Sequence, residues 1–171
     1  MEQKVQILYT KLIETLEEMT KMYRQLLEVV RKEKEHLLQV NLPEIENAVK
    51  AKEEMISKLR LADMLREKYA QNLGVELGMN SSSPRLMELA QRMPITEGDQ
   101  LRQLHSALEL VITRIQEINK ENASYAQSAL NTLNGAMGNI KETLSGSKTY
   151  ERKGQYRTGP DTAGHFVSKE A

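Results

Sequence analysis

Apolar residues recur at heptad spacing along three stretches of this chain, and the breaks between the stretches mark out the elements. From Gln3 to Val40, one heptad position falls at Tyr9, Leu16, Tyr23, Val30 and Leu37. Its partner falls at Val5, Leu12, Met19, Leu26, Glu33 and Val40, and only Glu33 interrupts the seam. A repeat sustained over this length predicts a long helix in a coiled coil or bundle. Leu8, Ile13, Met22 and Leu27 widen the stripe on both sides, which favours packing against more than one neighbour. Asn41-Leu42-Pro43-Glu44 punctuates the pattern. Asn41 suits an N-cap, Pro43 falls in a first turn where its missing N–H is harmless, and Glu44 at N3 can reach back to the cap. This reads as a hairpin turn into a second helix, with a kink at Pro43 as the alternative.

The second stretch runs from Leu42 to about Leu73, with Ile45, Ala48/Val49, Ile56, Leu59, Ala62, Leu65, Tyr69 and Leu73 as its stripe and Lys52 as its interruption. Residues 74–83 carry Gly74, Gly78, Asn80 and three serines, the composition of a loop. Ser83-Pro84 opens a short helix through Met93, and Pro94 stops it. A third long stretch occupies 97–144. Its seam is Leu101, Leu104, Leu108, Val111/Ile112, Ile115, Ile118/Asn119, Asn122, Tyr125/Ala126, Ala129, Leu133, Ala136/Met137, Ile140 and Leu144. Beyond it, residues 145–171 hold four glycines, one proline and scattered charge, too little apolar surface to offset the entropy of ordering. The expectation is an all-α fold: an elongated, coiled-coil-like, up-and-down bundle of three long helices plus one short helix over 1–144, with helices at about 3–40, 42–73, 84–93 and 97–144, and a disordered tail over 145–171. The stretches do not repeat one another in sequence, so a solenoid is not expected.

Composition narrows the function. The 171 residues include 24 Lys and Arg against 24 Asp and Glu, and aromatics are only 4 %. Zero net charge and few aromatic platforms argue against nucleic-acid binding. The absence of cysteine excludes disulfides and thiolate metal sites. The N-terminus shows no signal-like apolar run and no stretch is long enough to span a bilayer, so a cytoplasmic protein without membrane insertion is expected.

Nothing in the pattern predicts catalysis, a metal or a cofactor. His36, His105 and His165 are dispersed and form no HxxxH or HExxH pair. Glu17-Glu18 and Glu53-Glu54 lie among Lys and Arg at helical spacing, as on a solvated face. Gly74-Val75-Glu76-Leu77-Gly78 matches no phosphate-binding fingerprint. The methionines fall at or beside seam positions, where they fill a core or meet irregular partners. Asn119 and Asn122 have two readings. A buried Asn can fix register by a hydrogen bond inside the bundle. Alternatively, the pair marks where the last helix faces a partly polar groove. Downstream, Leu130, Leu133, Met137, Ile140 and Leu144 extend beyond what a short core needs, and an uncovered apolar face is a helix-pairing site.

A Leu-spaced first helix leads through a short turn into a second helix bearing Lys and Leu, with Glu33, Leu37, Leu42, Ile45, Lys52, Ile56 and Leu59 along the way. The last helix carries an Asn-x-x-Asn pair, Asn119-Lys120-Glu121-Asn122, and the tail after it holds Tyr150 and Gly154 at the spacing of a Tyr-Gly-x-x-Gly pattern, with Glu151 in place of the first Gly. In layout and at these positions the chain resembles the FlgN family of flagellar export chaperones. The resemblance implies a cytosolic chaperone that binds the C-terminal helical segments of hook–filament junction proteins, prevents premature assembly and delivers them to the flagellar type III export gate. It assigns client contacts to Leu130, Leu133, Met137, Ile140 and Leu144, with Asn119 and Asn122 setting the helix geometry of that site. Docking on the gate falls to Tyr150 and Gly154, aided by Lys148, Arg152, Lys153 and Arg157. No cofactor is implied, and the chain is expected as a monomer or weak dimer. A structural, self-associating coiled coil without clients is the competing reading.

Overall fold

The computed structural model describes residues 3–80, 82–144, 149–150 and 156–157. The fold is all-α, with three long helices and one short one: α1 (Gln3–Leu38), α2 (Leu42–Glu76), α3 (Leu86–Arg92) and α4 (Ile95–Leu144). Its contacts divide the chain into two compact units, Met1–Ala123 and Ser124–Ala171. The first holds α1 to α3 and α4 as far as Ala123. The second holds the rest of α4 and a two-residue antiparallel pairing, β1 (Thr149–Tyr150) with β2 (Tyr156–Arg157). The remainder of 145–171, expected to be disordered, lies outside the described residues.

In the first unit α1 and α2 form the expected hairpin rather than a kinked helix. Lys52 of α2 meets Glu33 of α1, and Lys4 near the start of α1 meets Glu76 at the end of α2. The turn is built from two interlocking caps. Asn41 N–H donates to the carbonyl of His36 and Val40 N–H to that of Leu37, the paired bonds of a Schellman motif. Asn41 then caps α2, its Oδ1 accepting from Glu44 N–H at 3.5 Å. The motif requires a left-handed residue, and here that residue is Val40, with φ 54°. A β-branched side chain in this region is strained. Val40 therefore ends α1 and is exposed, although the heptad places it on the seam.

The same motif ends α2. Met79 N–H bonds to Gly74 O and Gly78 N–H to Val75 O, with Gly78 at φ +70°. The helix runs through Gly74, which is buried against Pro84, and stops at the second glycine. Glu88 caps α3 by accepting from Arg85 N–H at 3.0 Å. Gly98 lets α4 start against α3, since a Cβ there would lie 2.4 Å from the Ala90 carbonyl oxygen.

α4 runs parallel to α1 with a steady offset. Tyr9 donates to Gln100 Oε1 at 2.7 Å, 91 residues away in sequence, and Asn122 donates to Val30 O at 3.0 Å, 92 residues away. Two apolar clusters fill the space among the helices. The larger joins Val5, Tyr9, Leu12, Ile13, Leu16 and Met19 to Ala62, Ala70, Leu73, Leu89, Met93, Leu101 and Leu108. The smaller joins Leu26 and Val30 to Leu59, Ile115 and Ile118. On α2 the core side is made by Ala48, Leu59, Ala62, Ala70 and Leu73, while Val49, Ile56 and Leu65 of the expected stripe are exposed. Small alanines on that side let α2 approach its neighbours closely.

The three polar residues that interrupt the apolar stripes meet in one layer. Glu33, buried at 6 % exposure, takes both carboxylate oxygens to Lys52 Nζ at 2.8 Å. Asn122, at 4 % exposure, donates from Nδ2 to Glu33 Oε2 at 2.9 Å and to Val30 O. The layer carries one negative and one positive charge, and it joins α1, α2 and α4. Just outside it Lys34 bonds Glu121 across α1 and α4, and this hydrogen bond and charge hold the Glu121 carboxyl below its ordinary range. A one-turn slip of α1 or α2 would leave an ion buried without its partner, and a slip of α4 would take the Asn122 amide from Glu33, so the layer fixes register.

Replacing Lys52 with Met is expected to destabilise the protein by about 2–3 kcal/mol, because Glu33 is left buried and unpaired. Replacing all three residues together (Glu33→Leu, Lys52→Met, Asn122→Leu) is expected to restore stability. Urea unfolding of both variants checks this, and a triple variant less stable than Lys52→Met would contradict the account. Val40→Gly, which relieves the left-handed strain, is expected to raise stability by about 1 kcal/mol in the same assay.

Candidate functional site

The residues singled out on α4 fall into two environments. Asn122 is taken up inside the first unit by Val30 and Glu33, and its Oδ1 has no hydrogen-bond partner among the described residues. Asn119, three residues earlier, is half-buried. Asn122 thus acts from within, by fixing how α4 is rotated. An amide in this place, rather than another Leu, supplies two donors that a carboxylate and a carbonyl can share.

In the second unit the apolar spacing continues but the burial stops. Ala126 and Ala129 are half-buried, whereas Leu130, Leu133, Met137 and Ile140 are 54, 51, 68 and 57 % exposed. At 3.6 residues per turn these four side chains fall within an arc of roughly 80°. Leu144, also expected on this seam, is the last residue of the helix. Leucines at this exposure along one helical stripe form an apolar face that the described residues do not cover. The other side of the helix carries Ser124, Ser128, Asn131, Gly135 and Gly138. From Ser124 to Ile140 no residue is charged, in a chain that is 28 % charged. The face therefore offers shape and apolar contact, with no ionic steering.

The tail residues are placed only in part. Tyr150 belongs to β1 and Arg157 to β2, in an antiparallel register that sets Tyr150 opposite Tyr156 and Thr149 opposite Arg157. Gly154, Lys148, Arg152 and Lys153 lie outside the described residues. Leu130, Leu133, Met137 and Ile140 thus share one face of the second unit, and the amide of Asn122 is engaged within the first.

The first unit also carries a groove of about 410 Å3, floored by Met19 and Tyr23 and walled by Asp63, Arg66, Leu108 and Ile112. Its ionic groups serve one another: Asp63 accepts from Arg66 Nε at 2.6 Å, and His105 Nδ1 lies 3.9 Å from Glu109. Burial raises the Tyr23 hydroxyl pKa, Asp63 adds to the rise and Arg66 opposes it. The same causes, burial first and then Glu97 and Glu17, raise that of Tyr9. A phenol held in its neutral form is a hydrogen-bond donor, which is how Tyr9 serves Gln100. Among the described residues no group of three or more His, Asp or Glu side chains could hold a metal ion. No helix among them is long and apolar enough to cross a membrane.

Glu33 and Lys52 were visible in the sequence only as interruptions, each in its own stripe. The signal that could have joined them to Asn122 is that each long helix carries a polar break, and that buried polar groups need partners.

The family model described as FlgN protein matches residues 1–158, which takes in all four helices and the paired strands. No curated protein and no solved structure matches the chain. With nearly its whole length matched, this chain belongs to the FlgN family, a family of flagellar chaperones.

Proposed function

We propose that the protein is a cytoplasmic chaperone that binds the C-terminal helical segments of hook–filament junction proteins. Leu130, Leu133, Met137, Ile140 and Leu144 carry the client contacts, and Asn119 and Asn122 set the rotation of the helix that presents them. The observation that carries this reading is the exposed stripe itself: the seam of α4 keeps its spacing past Asn122 while its leucines stay more than half exposed. An amphipathic client helix laid on that stripe buries both apolar faces and keeps the client from assembling. Membership of a flagellar chaperone family supports the choice of client. In the same reading Tyr150 and Gly154 dock the loaded chaperone on the type III export gate. The neighbouring Lys148, Arg152, Lys153 and Arg157 suit an acidic docking surface.

The competing reading is a structural coiled coil, in which a second copy covers the same stripe and no client is bound. Titration calorimetry of the full chain against the C-terminal segment of a junction protein separates the two. One-to-one binding at about micromolar affinity or tighter is expected, lost in Leu133→Asp with Ile140→Asp while circular dichroism shows the helices retained. Heatless titration by a chain that already sediments as a tight oligomer would favour the coiled coil. Because the stripe is uncharged, client affinity is expected to stay nearly constant between low and moderate salt.

Truncation after Leu144 tests the tail. Client affinity is expected to be kept, while capture of the loaded chaperone by the export gate is lost. The same capture by the intact chain is expected to weaken as salt rises. Equal capture with and without the tail would refute the assignment.

A further inference from the structure

The exposed end of α4 is a poor helix former by composition. Gly135 and Gly138 lie on the side away from Leu133 and Met137, and nothing among the described residues comes within 4 Å of a Cβ built on either. No close approach among the described residues requires a missing side chain there. Each glycine still weakens the helix roughly fivefold relative to alanine. The hydroxyls of Thr132 and Thr143 bond back to the carbonyls of Ser128 and Asn139 at 3.0 and 2.8 Å, a pattern that bends helices and lowers their stability. The absence of charge from Ser124 to Ile140 removes any ion pair across a helical turn.

Packing does not compensate. All residues from 130 to 143 are exposed, and most helical stability in proteins comes from a packed face rather than from propensity. Upstream the helix is anchored by Ile115, Ile118 and Asn122. The anchored part nucleates the helix, and propagation beyond it has only weak residues to draw on.

We propose that residues 124–144 are completed as a stable helix by the partner that covers them, and that Gly135 and Gly138 set how tightly that partner is held. This rests on the client-binding reading above and specifies it. The partner is a neutral apolar face of an amphipathic helix, since residues 124–140, which carry the stripe, offer no charge to match. Ordering the segment on binding subtracts from affinity, so the complex forms specifically yet is released readily. The glycines face away from the partner and act only through the helix that bears them.

The test is the variant Gly135→Ala with Gly138→Ala in the full chain. Both positions open to free space, so neither methyl group disturbs the fold. Amide hydrogen exchange over residues 128–143 is followed in the free protein and with a junction-protein C-terminal peptide. Protection in the free protein is expected to be weak, and to rise with the peptide towards that of residues 101–122. The double variant is expected to be better protected when free and to bind the peptide about tenfold more tightly. Protection of 128–143 in the free wild type equal to that of 101–122 would overturn the proposal, as would peptide binding that the double variant leaves unchanged. A peptide that binds neither protein would instead refute the client reading, and this inference with it.

Discussion

Every long helix in this protein is held in place by one buried ion. Glu33 sits in the seam of α1, where an apolar residue would pack with less difficulty, and its carboxylate is satisfied by Lys52 from α2 and Asn122 from α4. Apolar seams tolerate sliding, because leucines at heptad spacing look alike one turn further on. A carboxylate below 10 % exposure does not, because its desolvation is offset in one register only. The two apolar clusters supply the cohesion of the first unit, and this layer supplies its uniqueness.

One residue of register rotates an α-helix by about 100°, so the partners that Asn122 finds within the first unit decide which side of α4 faces the core there. Asn122 is the last buried residue along α4 before the stripe becomes exposed. Its two donated bonds fix the helix at the point where the apolar spacing passes from core to surface. Burial upstream and exposure downstream use the same periodicity, so a single pattern in the sequence runs through both the packed and the exposed part of α4.

The periodicity made the helices and much of the first core legible. Leu12, Leu16, Met19, Leu26 and Val30 are buried where the heptad puts them. The same rule failed where local backbone chemistry competes with it. Val40 holds a seam position, yet it closes a Schellman motif and faces solvent, because the turn needed a left-handed residue there. Gly74 resembled the start of a loop, but tertiary contact with Pro84 keeps it helical and the chain turns at Gly78. On α2, Val49, Ile56 and Leu65 have the right spacing for burial and still lie outside, since alanines on the adjacent face allow closer packing. The polar layer could not be read from one stripe at a time. Glu33, Lys52 and Asn122 are separated by up to 89 residues, and only the fold shows that their exceptions are a single event.

The parallel pairing of α1 with α4 also governs how the chain acquires its structure. Bonds between these helices span 87 to 92 residues of sequence, whereas Glu33 and Lys52 are only 19 apart. Loop closure favours the nearer pair, so the α1–α2 hairpin forms from local contacts and waits for α4 to close the remaining side of the core. On the ribosome α4 is also the last helix to emerge. Until it does, Val30, Leu59 and their neighbours are uncovered, and the nascent hairpin carries an exposed apolar face that only the arrival of α4 removes.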